Sequence, residues 1–242
     1  MKRLAFSLLV MSAPVWAADV SMAFGEKIPP FSFPETSSGI EIEIIGEALA
    51  VKGHVLKPRY FPFARVPLAF KDGVVDAAMT DLGQDLRAAG AHYGDPAVLY
   101  DNVFFTLRSR GLQLRKPADL NGLTLVSFQG AANRYPEWLG PMKKAGNYVE
   151  VNDQAVQVKM LMLGRIDVVL SDRSIFRYFS LQLQRSGVAL EAVDEQPFTA
   201  VNPQDYRPVF RSKQVRDDFN QGLLQIRKNG RYKAIYDKYL RE

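Results

Sequence analysis

The chain has 242 residues, 47% of them hydrophobic, which is enough for one large or two modest domains with packed cores and too apolar for a disordered protein. Its 31 Lys and Arg against 26 Asp and Glu give a net charge of +5, with the basic residues interleaved among acidic ones rather than gathered into a stripe, which argues against a nucleic-acid-binding surface. There is no cysteine, so disulfides and thiolate chemistry are excluded, and the two histidines, His54 and His92, form no recognisable metal set.

The chain opens with Lys2 and Arg3, an apolar run from Leu4 to Val10, and Val15-Trp16-Ala17, a small-x-small cleavage pattern. This reads as a signal peptide over residues 1–17, because the apolar run is far short of the ~20 residues that span a membrane. No cysteine follows it to carry a lipid, so the expected product is free in the periplasm.

Val20 to Phe24 is strand-like, Ile40, Ile44, Ile45, Ala48 and Leu49 recur at helical spacing within 39–51, and His54 to Phe61 is a second strand-like run. A helix from about Ala64 to Lys71 ends before Gly73, and Val74 to Met79 is a short buried strand. This β-α-β-α-β order favours a parallel sheet covered by helices. After a strand-like run from Val98 to Leu107 the order repeats: strand Leu123–Phe128, helix Asn133–Ala145, strand Tyr148–Val151, helix Asp153–Leu163, strand Ile166–Leu170 and helix Arg173–Leu183. Asp153 is placed to cap its helix and Gly164 to stop it. The last stretch, Gln214 to Tyr239, is helical with a break at Asn229-Gly230.

These segments carry landmarks in a fixed order: Pro29-Pro30-Phe31-Ser32-Phe33, Gly39-Ile40-Glu41-Ile42, Phe63-Ala64-Arg65 and Gly73-Val74-Val75-Asp76-Ala77. Arg87 follows, with Gly94-Asp95-Pro96, Ala118-Asp119-Leu120-Asn121-Gly122, Gly164-Arg165-Ile166-Asp167-Val168 leading to Asp172, and Asn229-Gly230-Arg231-Tyr232. In order and spacing the chain resembles the extracellular solute-binding proteins of family 3, the polar amino-acid-binding components of ABC importers, over almost its whole length after residue 17. The resemblance implies an α/β, two-lobed, type II periplasmic-binding-protein-like fold, each lobe a sheet flanked by helices. Lobe 1 is then 18–105 with 202–242 returning to it, and lobe 2 is 106–201, with hinge strands near Leu107 and Tyr206.

The resemblance also implies site residues. Arg87, eight residues before Asp95, matches the guanidinium that grips a ligand carboxylate, a role that suits a planar fork of donors. Asp172 matches the carboxylate for an α-ammonium; it also follows an apolar strand, where open α/β sheets place ligands, though an Asp before a helix is as readily a cap. Phe63 matches an aromatic against the ligand side chain, with Phe31 and Phe24 as further apolar wall and Glu26 and Arg65 as charged residues nearby. Two departures stand out. The hydroxyl residues usual ahead of the arginine are replaced by Asp81-Leu82-Gly83-Gln84-Asp85-Leu86. The usual Gly-Thr or Gly-Ser at a lobe 2 helix start is Gly130-Ala131-Ala132-Asn133, which keeps the backbone N–H groups around Ala132 for an anion and leaves Asn133 or Arg134 to replace the lost hydroxyl.

The expected function is therefore capture of an amino acid or related carboxylate by hinge closure, as a monomer without cofactor or metal, for an inner-membrane ABC permease. No nucleophile elbow, P-loop or dinucleotide turn is present. Two other roles remain on the same fold: a small-carboxylate dehydratase of the cyclohexadienyl dehydratase kind, and a ligand-sensing partner of a membrane receptor.

Overall fold

The computed structural model describes residues 17–26, 28–79, 84–202 and 206–241; the expected signal peptide falls on residues outside these, except for Ala17. In chain order the elements are β1 (Asp19–Gly25), α1 (Ile40–Ala50), β2 (Val55–Phe61), α2 (Val66–Lys71), β3 (Ala77–Met79), β4 (His92–Tyr93) and β5 (Asn102–Leu107). They continue with β6 (Leu125–Phe128), α3 (Ala131–Arg134), α4 (Pro136–Ala145), β7 (Tyr148–Val151), α5 (Gln154–Met162), β8 (Val168–Asp172) and α6 (Arg173–Arg185). Last come β9 (Val193–Gln196), β10 (Pro208–Phe210), α7 (Lys213–Lys228) and α8 (Arg231–Leu240).

Two five-stranded sheets result, ordered β2-β1-β3-β10-β4 and β7-β6-β8-β5-β9. In each, four strands run in one direction and the fourth in the order, β10 or β5, is antiparallel to both its neighbours. Both faces of each sheet are covered, so the central strands are apolar throughout. Val103 and Phe105 of β5 join one core cluster of the second sheet while Phe104 between them joins the cluster on the other face. In the first lobe Ile44, Ile45, Ala48 and Leu49 of α1 are fully buried, as the helical spacing requires. Helix α7 crosses α1 so closely that a Cβ at Gly222 would fall inside the Ala48 carbonyl, which is why glycine stands in the middle of a helix.

Several expected boundaries shift for local reasons. The single helix expected over 133–145 is two, α3 and α4, because Pro136 cannot continue α3; Tyr135 between them is non-helical at φ −125°. Strands β4 and β9 carry no long apolar run and have no counterpart among the expected elements, while the strand implied near Tyr206 is β10, which lies within the first sheet. Strand β5 pairs with β8 and β9 from Asn102 to Leu107 and so belongs wholly to the second sheet. A lobe boundary between 105 and 106 would cut this strand, and Leu107 lies at its far end rather than at a hinge. The chain instead crosses from the first sheet to the second through 94–101, between β4 and β5, and 197–202 leave the second sheet after β9. The two crossings touch at Tyr100 and Tyr206, whose rings lie 4.7 Å apart.

Helix α6 lies between β8 and β9 of the second sheet in sequence but packs on both lobes. Phe176 stacks on Phe105 at 3.7 Å within the second core, whereas Ile175 is buried in the first-lobe core and Arg177 Nε donates to the Leu240 carbonyl at 2.9 Å. Among the described residues no helix is long and apolar enough to cross a membrane.

Candidate functional site

A cavity of about 280 Å³ lies between the lobes, where the carboxyl ends of β6, β7 and β8 face the ends of β1 and β2. That is the position at which open parallel sheets bind ligands, because loops and helix starts there present side chains and N–H groups to a common crevice. The first lobe contributes Ile28 and Phe63, the crossings contribute Tyr100 and Tyr206, and the second lobe contributes the polar set, among them Asn102, Gln129, Arg134, Gln154 and Asp172.

Asp172 ends β8 and caps α6. Its Oδ1 accepts from the N–H groups of Ser174 at 2.8 Å and Ile175 at 3.0 Å, and its Oδ2 from the N–H of Asp101 at 2.7 Å. It is therefore a helix cap and a cavity-lining residue at once, and it also ties the outgoing crossing to the second lobe. Burial at 2% exposure pushes its carboxyl up to about 7, even though the N–H groups of Ile175, Asp101 and Ser174 pull the other way. Asp101 is held further by Arg173, whose Nε lies 2.6 Å from its Oδ2 and whose guanidinium also pairs with Glu195.

Among the described residues Arg134 is the cationic side chain on the cavity wall. It closes α3, its Nε donates to the Tyr135 hydroxyl at 3.2 Å, and its guanidinium lies 5.0 Å from the Tyr206 ring centroid. The same Tyr135 hydroxyl accepts from Asn102 Nδ2 at 3.0 Å, so the arginine is tied to β5 through one tyrosine and rests against a crossing through another. Gln154, one residue after the Asp153 cap of α5, lines the cavity with a buried Oε1 that no protein group satisfies. A buried acceptor of this kind is costly unless a donor arrives.

Of the residues expected from sequence, Asp172 and Phe63 line the cavity, Phe63 being 39% exposed there. Phe31 does not reach it. It is fully buried behind Tyr100 at 4.3 Å and positions that ring, which also donates to Glu41 of α1 at 3.4 Å. Phe24 is likewise core, and Glu26 and Arg65 are exposed outside the lining. Arg87 is not brought to the cavity: its side chain is 70% exposed, its Nη1 pairs with Asp85 at 3.1 Å, and it stacks over Tyr93 at 5.1 Å. The local cause is Asp85, which also accepts the Arg87 N–H at 2.9 Å and folds the guanidinium back on its own turn. Residues 81–83, part of the altered stretch before it, lie outside the described residues.

Ala132 and Asn133 depart as well. The N–H of Ala132 is taken by Glu150 of β7 at 3.0 Å, and that of Asn133 by the Gly130 carbonyl, with the Asn133 side chain exposed. The sequence reading passed over Gln129, Gln154 and the two crossing tyrosines. Applying the strand-end rule to β6 and β7 as well as to β8 would have found the first two. Among the described residues no group of three or more His, Cys, Asp or Glu is placed to hold a metal ion.

Two lobes of like topology with a mixed polar and aromatic cleft between them define a two-lobed periplasmic-binding-protein-like domain. Residues 20–242 match the model of the bacterial extracellular solute-binding proteins, family 3, and the chain belongs to that family. No curated protein sequence matches it. Among solved structures, substrate-binding domain 2 of Lactococcus lactis GlnP, in an open conformation, is 22% identical with a TM-score of 0.66, covering 96% of this chain and 99% of that one. The second substrate-binding domain of a putative amino acid ABC transporter from Streptococcus pneumoniae is 20% identical with a TM-score of 0.63, covering 92% and 100%. A histidine kinase sensor domain with similarity to periplasmic binding proteins is 20% identical with a TM-score of 0.64, covering 92% and 96%. At these identities the likeness is one of fold.

Proposed function

We propose that this family member captures an amino acid or a closely related small carboxylate in the cleft and, exported to the periplasm, passes it to an ABC permease by lobe closure. The observation that carries the reading is a cavity wall that, among the described residues, holds one guanidinium, one buried carboxyl and one unsatisfied buried acceptor between apolar and aromatic surfaces. Arg134 takes the ligand carboxylate, since its fork of donors matches two oxygens, and its seat in the second lobe replaces the expected role of Arg87. Asp172 and Gln154 Oε1 receive the ligand's N–H donors, and Phe63 packs on its body. The domain of a putative amino acid ABC transporter among the similar folds supports this choice of ligand class. The likeness to a histidine kinase sensor domain supports a second destination for the same closed complex, a membrane receptor.

A thermal-shift panel of amino acids, their derivatives and small carboxylates tests the reading. A true ligand raises stability by RT ln(1 + [L]/Kd), about 2.7 kcal/mol at a hundredfold excess over Kd, and is recovered unchanged. A panel without any shift would remove the ligand class, and a ligand consumed with loss of water would replace the binding protein by a dehydratase.

A further inference from the structure

The wall segment 128–134 that carries Arg134 is organised around a carboxylate that belongs to the protein. Glu150 of β7 reaches across to it, and both its oxygens are fully engaged. Oε2 accepts from the Gly130 N–H at 2.9 Å and from Gln129 Nε2 at 3.1 Å. Oε1 accepts from the Ala132 N–H at 3.0 Å and from the Tyr148 hydroxyl at 2.7 Å, and that hydroxyl is in turn 2.7 Å from Ser127 Oγ. Gln129 and Gly130 are themselves cavity-lining residues, so the four-donor cage sits directly behind the cleft surface. Partial burial pushes the Glu150 carboxyl up, but the N–H groups of Gly130 and Ala132 and the Tyr148 hydroxyl outweigh it and hold the group below the ordinary carboxylate range. It is thus ionised across neutral pH.

We propose that Glu150 is a specificity-determining residue that fills, with its own carboxylate, the donor cage at Gly130 and Ala132, so that the cleft accepts a ligand with one carboxylate, held by Arg134, and rejects a second carboxylate at this wall. Two physical effects act together. The donors that would stabilise a ligand anion there are already used, and a fixed negative charge lies immediately behind Gly130, so an incoming carboxylate meets repulsion without compensation. The same cage fixes the turn that leads into α3 and therefore the place of Arg134. The inference rests on the carboxylate reading of the cleft, but the filled cage can be tested apart from it.

The test is Glu150→Ala, which empties the cage, titrated with sodium formate against sodium chloride at equal ionic strength. In the variant, formate should shift the amide resonances of Gly130 and Ala132 saturably and raise the melting temperature, while the wild type responds to neither salt specifically. Equal responses in the two proteins, or none in the variant, would overturn the filled-cage assignment. Should Glu150→Ala fail to fold in plain buffer, Glu150→Ser is carried through the same titration. The specificity arm compares Kd for monocarboxylates and dicarboxylates of equal length. The variant should improve at least tenfold for dicarboxylates relative to monocarboxylates, and an unchanged ratio overturns the selectivity half. If no carboxylate binds the wild type, the cleft reading fails, and the formate titration still decides the cage.

Discussion

The two lobes repeat one topology, four strands in one direction and one reversed strand next to the edge, yet they meet the cleft with different surfaces. The first lobe offers Ile28 and Phe63, whereas the second offers Arg134, Asp172, Gln129, Gln154 and Asn102. The contrast follows from what occupies the strand ends. In the first lobe Phe31 is sealed behind Tyr100 and the Arg87 guanidinium is held outside by Asp85. In the second, the loops after β6, β7 and β8 all deliver polar groups, and even their supporting shell is charged, through Glu150 and Asp101. A shared scaffold therefore leaves recognition free to move from one lobe to the other.

The largest effect should come from the pair of arginines that embodies this contrast. Arg134→Ala is expected to weaken a carboxylate ligand by about 3–5 kcal/mol, since the buried anion loses its fork of donors, whereas Arg87→Ala should change binding and stability by less than about 0.5 kcal/mol, as for an exposed pair. Isothermal titration of both variants with one ligand checks it, and the reverse order would return recognition to the first lobe. Next in size, Gly222→Ala attacks the first lobe as pure scaffold. A methyl group inside the Ala48 carbonyl forces α7 away from α1, at a cost of about 3 kcal/mol and roughly 6–12 °C in Tm, read by calorimetry.

The smallest effect concerns Asp172 and has a definite sign. Its folded-state carboxyl is raised to about 7 from 3.8, so between these values the folded protein holds a proton that the unfolded chain has lost. Stability from this group is therefore complete below about pH 4 and declines as pH rises toward 7, by about 2 kcal/mol between pH 5 and 7. Asp172→Asn cannot ionise, so urea unfolding over that range should show the wild type losing stability relative to the variant. A parallel pH profile would mean that Asp172 is ionised throughout. The variant also turns an amide donor toward the Asp101 N–H, which costs about 1–2 kcal/mol at every pH.

What the sequence made legible was whatever leaves a local mark. The Asp153 cap, the stop at Gly164 and the break at Asn229-Gly230 placed α5, α7 and α8 to within a few residues, and the strand-end rule found Asp172. Strands β4, β9 and β10 left no such mark, because short antiparallel partners are defined by the neighbour that accepts them and not by their own apolar pattern. Spacing likewise put Arg87 at a plausible place along the chain but carried no information on where its side chain points. Two residues upstream, Asp85 decides that. The reach of Glu150 across from β7 to Gly130 and Ala132 is a contact over 18 to 20 residues with no motif to announce it.

Helix α6 limits how the molecule can move. Because Ile175 is sunk in the first-lobe core while Phe176, the next residue, is stacked in the second, the first turn of the helix is anchored to both lobes at once. Sliding or twisting one lobe over the other would pull Ile175 out of its core or break the Arg177 contact to Leu240. A change in the angle between the lobes must therefore give up one of these anchors or carry α6 along with both cores.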